Sequence, residues 1–328
     1  MSGSGGKKST GINGAQIRAE ALRLGFSFCG MARNEPLEDL RALYTRLIQR
    51  KGPAGLEYLE TYLEKRLNPE LLLKGARSVI AVMMNYYPQD EIPGTGNFII
   101  SKYAYGRDYH LLMRERLGLL IAFLKSITAD LSDRESEDSG PAYDLHARAF
   151  VDSGPVLEKA WAQRCGLGWQ GKNTLVIHPL AGSFFFIGII LTTLELEPDA
   201  PESDHCGSCE KCIKACPTGA LDTPYQLDIR RCISYLTIES KEEIPVELKG
   251  KLKDRIYGCD ICQDVCPYNR FAVPNGIPEF DPSEPLMQMR KKEWLSLTEA
   301  DFDRMFAATP VKRMGYARLM RNIRAASQ

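Results

Sequence analysis

Eight of the ten cysteines in this 328-residue chain fall between Cys206 and Cys266, and their spacing dictates a chemistry. The first group reads Cys206-Gly-Ser-Cys209-Glu-Lys-Cys212-Ile-Lys-Ala-Cys216-Pro217, a C-x₂-C-x₂-C-x₃-C-P run. Three thiolates so spaced on a tight loop converge on one cubane, while the fourth begins a helix and turns away to a neighbouring cluster. The second group, Cys259-Asp-Ile-Cys262-Gln-Asp-Val-Cys266-Pro267, is one cysteine short, and Cys232 supplies it from upstream. Eight thiolates make two complete [4Fe–4S] sites. The crossing pattern puts Cys206, Cys209 and Cys212 with Cys266, and Cys259 and Cys262 with Cys216 and Cys232. Zinc is the alternative for any C-x₂-C pair. Tetrahedral zinc gains nothing from a last cysteine followed by proline, and both groups end that way.

Two one-electron centres in a row form an electron wire, so the rest of the chain must hold what the wire feeds. Composition sets the bounds. Hydrophobic residues make up 44% and charged residues 26%, an ordinary globular balance with room for about two domains. Lys+Arg and Asp+Glu stand at 42 each, which excludes a globally basic nucleic-acid binder and leaves only a local patch. No apolar run approaches the ~20 residues that span a bilayer. The start, rich in Gly and Ser, lacks the apolar segment of a secretory signal, so a cytoplasmic protein without a membrane partner is expected.

Three regions follow a leader (residues 1–11), expected to be flexible. Residues 12–197 alternate helical and strand patterns. Ile12 to Leu24 has helical spacing and stops at Gly25. Ser78 to Tyr87 is a β-rich apolar run ended by Pro88, and Asp108 to Leu131 reads as a long amphipathic helix. Leu175–Ile177 and Phe184–Thr193 read as two buried strands joined by a turn. The expectation is an α/β or α+β layer domain. Residues 198–280 form a ferredoxin-like module whose charged insert, Lys241 to Lys253, is expected to be a solvated loop or helix. Residues 281–328 form a short helical tail that is basic from Met305 onward.

Several local patterns accompany the cysteines: Ile100-Ser-Lys-Tyr-Ala-Tyr-Gly-Arg-Asp-Tyr-His110, Val151-Asp-Ser-Gly-Pro-Val-Leu-Glu158, Cys165-Gly-Leu-Gly-Trp-Gln-Gly-Lys-Asn173, Gly182-Ser-Phe-Phe-Phe-Ile-Gly188 and Arg231-Cys-Ile-Ser-Tyr-Leu-Thr-Ile-Glu239. Together with the cluster spacing they resemble the epoxyqueuosine reductase family, over roughly Ile12 to Gln328. The family is related to reductive dehalogenases and reduces epoxyqueuosine, at the wobble position of tRNA, to queuosine in the last step of queuosine biosynthesis. The resemblance implies a nitroreductase-like cobalamin-binding domain fused to the two-cluster module, with an unnamed external electron donor. It also implies Asp152 as proton donor, and corrin contacts from Arg66, Tyr105, Asp108, His110, Lys172, Asn173 and Ser234.

The residues carry readings of their own. Asp152 and Ser153 have the types that cap a helix opened by Pro155. An ordinary Asp is ionised at neutral pH, so an acid there needs desolvation or nearby negative charge to keep a proton. Asp108-Tyr-His110 begins the D-x-H-x-x-G loop that puts histidine on cobalt, but Met113 stands where its glycine belongs, so no protein ligand to cobalt is expected. Gly166-Leu-Gly-Trp-Gln-Gly171 mimics a dinucleotide fingerprint without the helix that should follow. Cys29, Cys165, Trp161, Trp169 and Trp294 read as packing residues. Tyr103 and Tyr105 suit either a nucleic-acid contact or a strand edge.

In the tail, Lys312, Arg313, Arg318 and Arg321 form the candidate phosphate contact, beside an apolar face of Tyr316, Leu319, Met320 and Ile323. Family members often carry further helical repeats beyond this point, and their absence is expected to remove part of the tRNA surface. Two other functions compete. A reductive dehalogenase would use the same cofactors but typically carries a twin-arginine signal. A plain two-cluster electron carrier would leave the large upstream domain without a purpose.

Overall fold

The computed structural model describes residues 13–49, 60–94, 96–134 and 145–328. The expected leader lies outside them, as does Ile12. Asn13 caps the first helix, Gly14–Arg23, by accepting from the Ala15 N–H at 2.9 Å, and Gly25 ends it at φ +86°. Beyond it, β1 (Phe28–Arg33), β2 (Ser78–Asn85), β4 (Ala147–Phe150) and β7 (Phe185–Thr192) form one sheet in the order β1-β2-β7-β4. Every pairing in that sheet is antiparallel, so the arrangement is α+β rather than doubly wound.

The expected apolar runs are its two central strands, and both faces are covered. Ile80, Val82 and Met84 join the core beneath the first helix and the long helix Tyr109–Arg134. Their neighbours Val79, Ala81 and Met83 point the other way, into a core shared with the helix Glu158–Arg164. This is why β2 reads as an unbroken apolar stretch rather than an alternating one. Gly30 lets that helix approach, since a Cβ there would lie 2.0 Å from the Cys165 carbonyl oxygen. The strand over Val176–Ile177, β6, pairs with β5 (Trp169–Gln170) in a small hairpin and not with β7 as the sequence suggested.

The expected boundary at residue 197 does not divide the packing. Residues 92–105 leave the first layer, and β3 (Ile99–Ile100) pairs in parallel with β8 (Arg255–Tyr257). Phe98, Ile100 and Tyr105 share one core with Ile256, Tyr257, Trp294, Phe302, Phe306, Leu319 and Ile323. The helical tail is therefore a structural layer and not an appendage. Its helix Tyr316–Ala326 buries Leu319 and Ile323 as its spacing suggested.

Arg321, read as a phosphate contact, is buried instead. Its guanidinium donates to the carbonyls of Leu236 (2.8 Å), Ser240 (2.9 Å) and Glu242 at the end of the helix Ile233–Ile238. Arg318 is likewise spent on the carbonyls of Met314, Ile238 and Arg313. A helix end leaves carbonyls without intrahelical partners, and arginine satisfies several at once.

A buried carboxylate clamps the cysteine-bearing loop to the first layer. Asp260 accepts from the Ser101 hydroxyl and from the Lys102 N–H at 2.8 Å. Burial works against the Lys102 charge, but Asp260, Asp264 and Glu91 hold its pKa above the ordinary value. Removing a buried acceptor leaves each of its donors unsatisfied at about 1–3 kcal/mol. Asp260→Ala is expected to lose about 2–4 kcal/mol in chemical denaturation; a loss below about 1 kcal/mol would show that the clamp holds nothing.

Candidate functional site

The eight clustered cysteines gather at two places. Cys206, Cys209, Cys212 and Cys266 wall a small recess of about 30 Å³ with Lys172, Asn173 and Tyr268. Cys216, Cys232, Cys259 and Cys262 lie on the wall of a larger cleft of about 440 Å³. The sorting is crosswise, as the spacing required. Local sequence explains it. Asp204 caps the first loop through the Cys206 N–H at 2.7 Å, Gly207 turns it at φ +48°, and the short helix Lys211–Ala215 carries Cys212. Pro217 ends that helix and sends Cys216 to the other site. The helix Ile261–Asp264, carrying Cys262, packs against it.

Among the described residues no three His, Cys, Asp or Glu side chains converge on a single metal ion. Burial pushes the Cys259 thiol up to about 12 and raises those of Cys212, Cys232, Cys262 and Cys266. At Cys216 burial is outweighed by donors from Thr218, Ala220 and Leu221, and its pKa falls. Iron would displace the protons from all of these.

The same cleft is lined by Tyr86, Tyr103, Tyr109, Asp152 and Lys159. Asp152 sits at φ +56°, in the left-handed region. It does not cap a helix, because the helix after Pro155 begins only at Glu158, with Leu157 as its N-cap. Its N–H instead donates to Glu158 Oε1 at 2.5 Å. Its Oδ2 accepts from the Tyr109 hydroxyl and from His110 Nε2, both at 3.1 Å. His110 Nδ1 lies 2.7 Å from Asp108 Oδ1, so the imidazole bridges two carboxylates. Protein surrounds Asp152, yet half of its side chain remains open to the cleft.

Burial alone would lower the His110 pKa, but its bonds to Asp108 and Asp152 raise it to about 9. The same His110 bond holds Asp152 below the usual carboxylate range. Burial, and then the charge of Asp152, lifts Glu158 to about 8. Asp152 is thus held toward its ionised form, and the groups whose hold on a proton is strengthened, His110 and Glu158, stand either side of it.

The other expected site residues divide. Asn173 and Ser234 line the cleft, and Asn173 Nδ2 also donates to the Cys262 carbonyl at 3.3 Å. Asp108 and His110 reach the cleft only through Asp152. Arg66, Tyr105 and Lys172 do not wall it. Arg66 is buried in the helix Leu63–Leu67, and Tyr105 is buried in the core shared with the tail. Lys172 Nζ holds the Gly207 carbonyl at 2.7 Å, beside the first cluster recess. Of the basic residues, Arg313 lines the cleft mouth and pairs with Glu239 at 2.9 Å, while Lys312 pairs with Asp303 on the surface. Sequence reasoning passed over Glu158 and Lys159, although Glu158 closes a pattern already singled out. It also passed over Asp260, which lies between two cysteines.

The family described as "Epoxyqueuosine reductase QueG, DUF1730" matches residues 66–153, and "4Fe-4S double cluster binding domain" matches residues 205–269. The epoxyqueuosine reductase of Cellulophaga algicola is 44% identical over 307 residues, covering 94% of this chain and 95% of its own. The chain belongs to the epoxyqueuosine reductase family. It is thus an oxidoreductase with a double [4Fe–4S] domain. The relative from Leadbetterella byssophila is 42% identical over 308 residues, covering 94% and 96%. A solved epoxyqueuosine reductase bound to an epoxyqueuosine-modified tRNA-Tyr stem loop has a TM-score of 0.81 at 33% identity, over 95% of this chain and 80% of that one. The Bacillus subtilis enzyme, with a TM-score of 0.79 at 32% identity and the same coverage, was captured with its catalytic aspartate loop swung out of the active site. No helix among the described residues is long and apolar enough to cross a membrane.

Ligand grouping can be read from metal content. Replacing Cys232 or Cys216 by Ala is expected to halve the iron and sulfide of the reconstituted chain and to abolish the same one of two cluster signals. Replacing Cys266 or Cys206 should abolish the other. Loss of the same signal from Cys216→Ala and Cys206→Ala would overturn the crosswise assignment.

Proposed function

We propose that epoxyqueuosine, carried by a tRNA anticodon stem loop, is reduced to queuosine in the cleft above Cys216, Cys232, Cys259 and Cys262. The observation that carries this reading is the placement of Asp152, in a proton-holding group, in the same cleft as four cluster thiols. The reaction takes up two electrons and two protons, turns the epoxide into an alkene and releases its oxygen as water. Cys206, Cys209, Cys212 and Cys266 would hold one cluster and Cys216, Cys232, Cys259 and Cys262, on the cleft, the other; together they would supply electrons from an external donor one at a time.

The cleft suits a cobalamin in a nitroreductase-like domain. Its walls are largely apolar, and Ser234 and Asn173 offer polar contacts to the edge of a flat macrocycle. None of its lining residues is a histidine, in keeping with the missing D-x-H-x-x-G loop. When bound, cobalamin supplies a cobalt centre able to reduce the epoxide carbon, and the protein orients and protonates.

Asp152 presents its carboxyl to the departing oxygen, and Tyr109 steadies it. The proton passes from His110 Nε2 through the Asp152 carboxyl as the oxygen leaves, and Asp108 fixes the imidazole through Nδ1. The relay needs a loaded His110, and a protonated Glu158 removes one negative charge beside Asp152. The loop swung out in the Bacillus subtilis enzyme supports the same assignment, since Asp152 lies on a strained turn held in by Glu158, Tyr109 and His110. These residues work in the cytoplasm, where tRNA and a low-potential donor are both at hand.

Turnover of epoxyqueuosine-tRNA should hold below pH 8 and fall as pH rises through about 8 to 9, because both groups with raised pKa values lose their protons there. Asp152→Asn should lower kcat by about 10²-fold or more with the clusters intact. Glu158→Gln should leave only the fall near 9. Full turnover in Asp152→Asn would remove it as the acid.

Of the four tail residues, Arg313 lines the cleft with an exposed ion pair to Glu239 that a phosphate can displace, with Lys312 beside it. Arg313→Ala is expected to weaken stem-loop binding and reduce the salt slope by about 1. Arg321→Ala should instead lower stability by about 1–3 kcal/mol and leave the slope unchanged. Equal salt slopes for wild type and Arg313→Ala would remove this contact.

A further inference from the structure

The segment Cys165–Asn173, singled out in the sequence, does something other than bind the substrate or a dinucleotide. Gly168 lies at φ +144°, and a Cβ there would come 2.2 Å from the Ile177 carbonyl oxygen. Only glycine lets the β5–β6 hairpin close at that point. The closure drives Trp169, the next residue, fully into the interior. Its indole Nε1 lies 3.4 Å from Cys206 Sγ. The rings of His205 and Tyr268 stand against its faces edge-on, with centroids 4.9 and 4.7 Å away. Tyr268 in turn donates to the His205 carbonyl at 3.3 Å. The indole has no room to turn.

This N–H is aimed rather than merely accommodated. Trp161 and Trp294 are buried as deeply, and among the described residues neither Nε1 finds a partner. Burial of an indole in this chain therefore does not by itself bring an acceptor. The second cluster site has its own side-chain donor, Thr218, which is buried with its Oγ1 3.5 Å from Cys216 Sγ. Each group of four thiols thus receives one fixed side-chain donor.

A hydrogen bond to a cluster thiolate stabilises the reduced cluster more than the oxidised one, because the reduced cluster carries the extra negative charge. We propose that Trp169 is a positioning residue for electron transfer: its N–H, donated to Cys206, raises the reduction potential of the first cluster independently of the second. Thr218 is the matching donor at the second. The inference rests on the two-cluster reading and on the ligand grouping given above. A donor placed at the first cluster makes that cluster easier to charge from outside. The two potentials can then be set separately, although their ligand helices touch.

The test is an anaerobic redox titration of the reconstituted holoprotein, following each cluster by electron paramagnetic resonance. Trp169→Phe should reduce the equilibrium constant for reduction of one cluster by about three- to tenfold, tenfold being about 59 mV for a one-electron couple. The other cluster should not move. Thr218→Val should move the other one and leave the first in place. Incorporating 5-fluorotryptophan, a stronger N–H donor of nearly the same shape, should raise the potential that Trp169→Phe lowers. That measurement covers the case in which the Phe variant fails to hold its iron, since neither Trp161 nor Trp294 donates its Nε1–H to a thiol. Two intact clusters with unchanged potentials in the fluorinated protein would overturn the inference and leave the two-cluster reading standing. A wild-type protein that assembles only one cluster would break that reading instead.

Discussion

The two halves of this chain hold each other at one buried carboxylate. Asp260 lies between Cys259 and Cys262, and its oxygens reach back to Ser101 and Lys102 of the first layer. The loop that must present two thiols to a cluster is thereby fixed to the segment that runs on into Tyr103, Asp108 and His110. Gln263 of the same loop adds a second attachment, donating to the Ser183 carbonyl at 3.0 Å and to the Tyr86 hydroxyl at 3.1 Å. A polar network in a low-dielectric interior is costly unless every member is satisfied, and then it fixes one arrangement. The cleft exists because this network sets the distance between the wall that supplies electrons and the wall that supplies protons.

That separation of labour is visible in the charges. One wall gathers thiols whose protons iron must displace. The other gathers an imidazole and carboxylates whose shared field moves protons off Asp152 and onto its neighbours. Neither wall needs a residue of unusual type. Asp152, His110 and Glu158 are ordinary side chains, and their proton affinities are shifted by 2.5 to 3.1 Å contacts and by partial exclusion of water. Asp152 itself keeps an exposed face, as the role proposed for it requires.

Much of this was legible in the sequence. Cysteine spacing gave both cluster sites, because the geometry of a tight loop leaves few ways to satisfy a cubane. Apolar runs located β2 and β7, and their lack of alternation is explained by the cover on both faces of the sheet. What the sequence hid was non-local. Nothing in Ile99-Ile100 announces a parallel partner more than a hundred residues away, and so the tail looked separable. Arg318 and Arg321 looked like phosphate contacts because a linear string shows charge but not the carbonyls that consume it. Asp152 followed by Ser153 and Pro155 has the composition of a helix start, yet the chain turns left-handed there and starts the helix at Glu158. The proton inventory depends on that turn, and no local propensity encodes it. The grouping of His110 with Asp152 likewise depends on the fold bringing the long helix beside β4.

The β3–β8 pairing also bears on how the molecule comes into being. Residues 92–105 need a core completed by Leu286, Trp294, Phe306 and Ile323. During synthesis the chain emerges from its N-terminus, and contacts so distant in sequence form late. The first sheet can assemble once β7 has been made, but the segment leading to His110 waits for β8, the Asp260 loop and the helices that carry Trp294 and Ile323. The cysteine loops are made before those helices, so they emerge ahead of the core that holds them in place. The cleft takes its shape only once that core has formed.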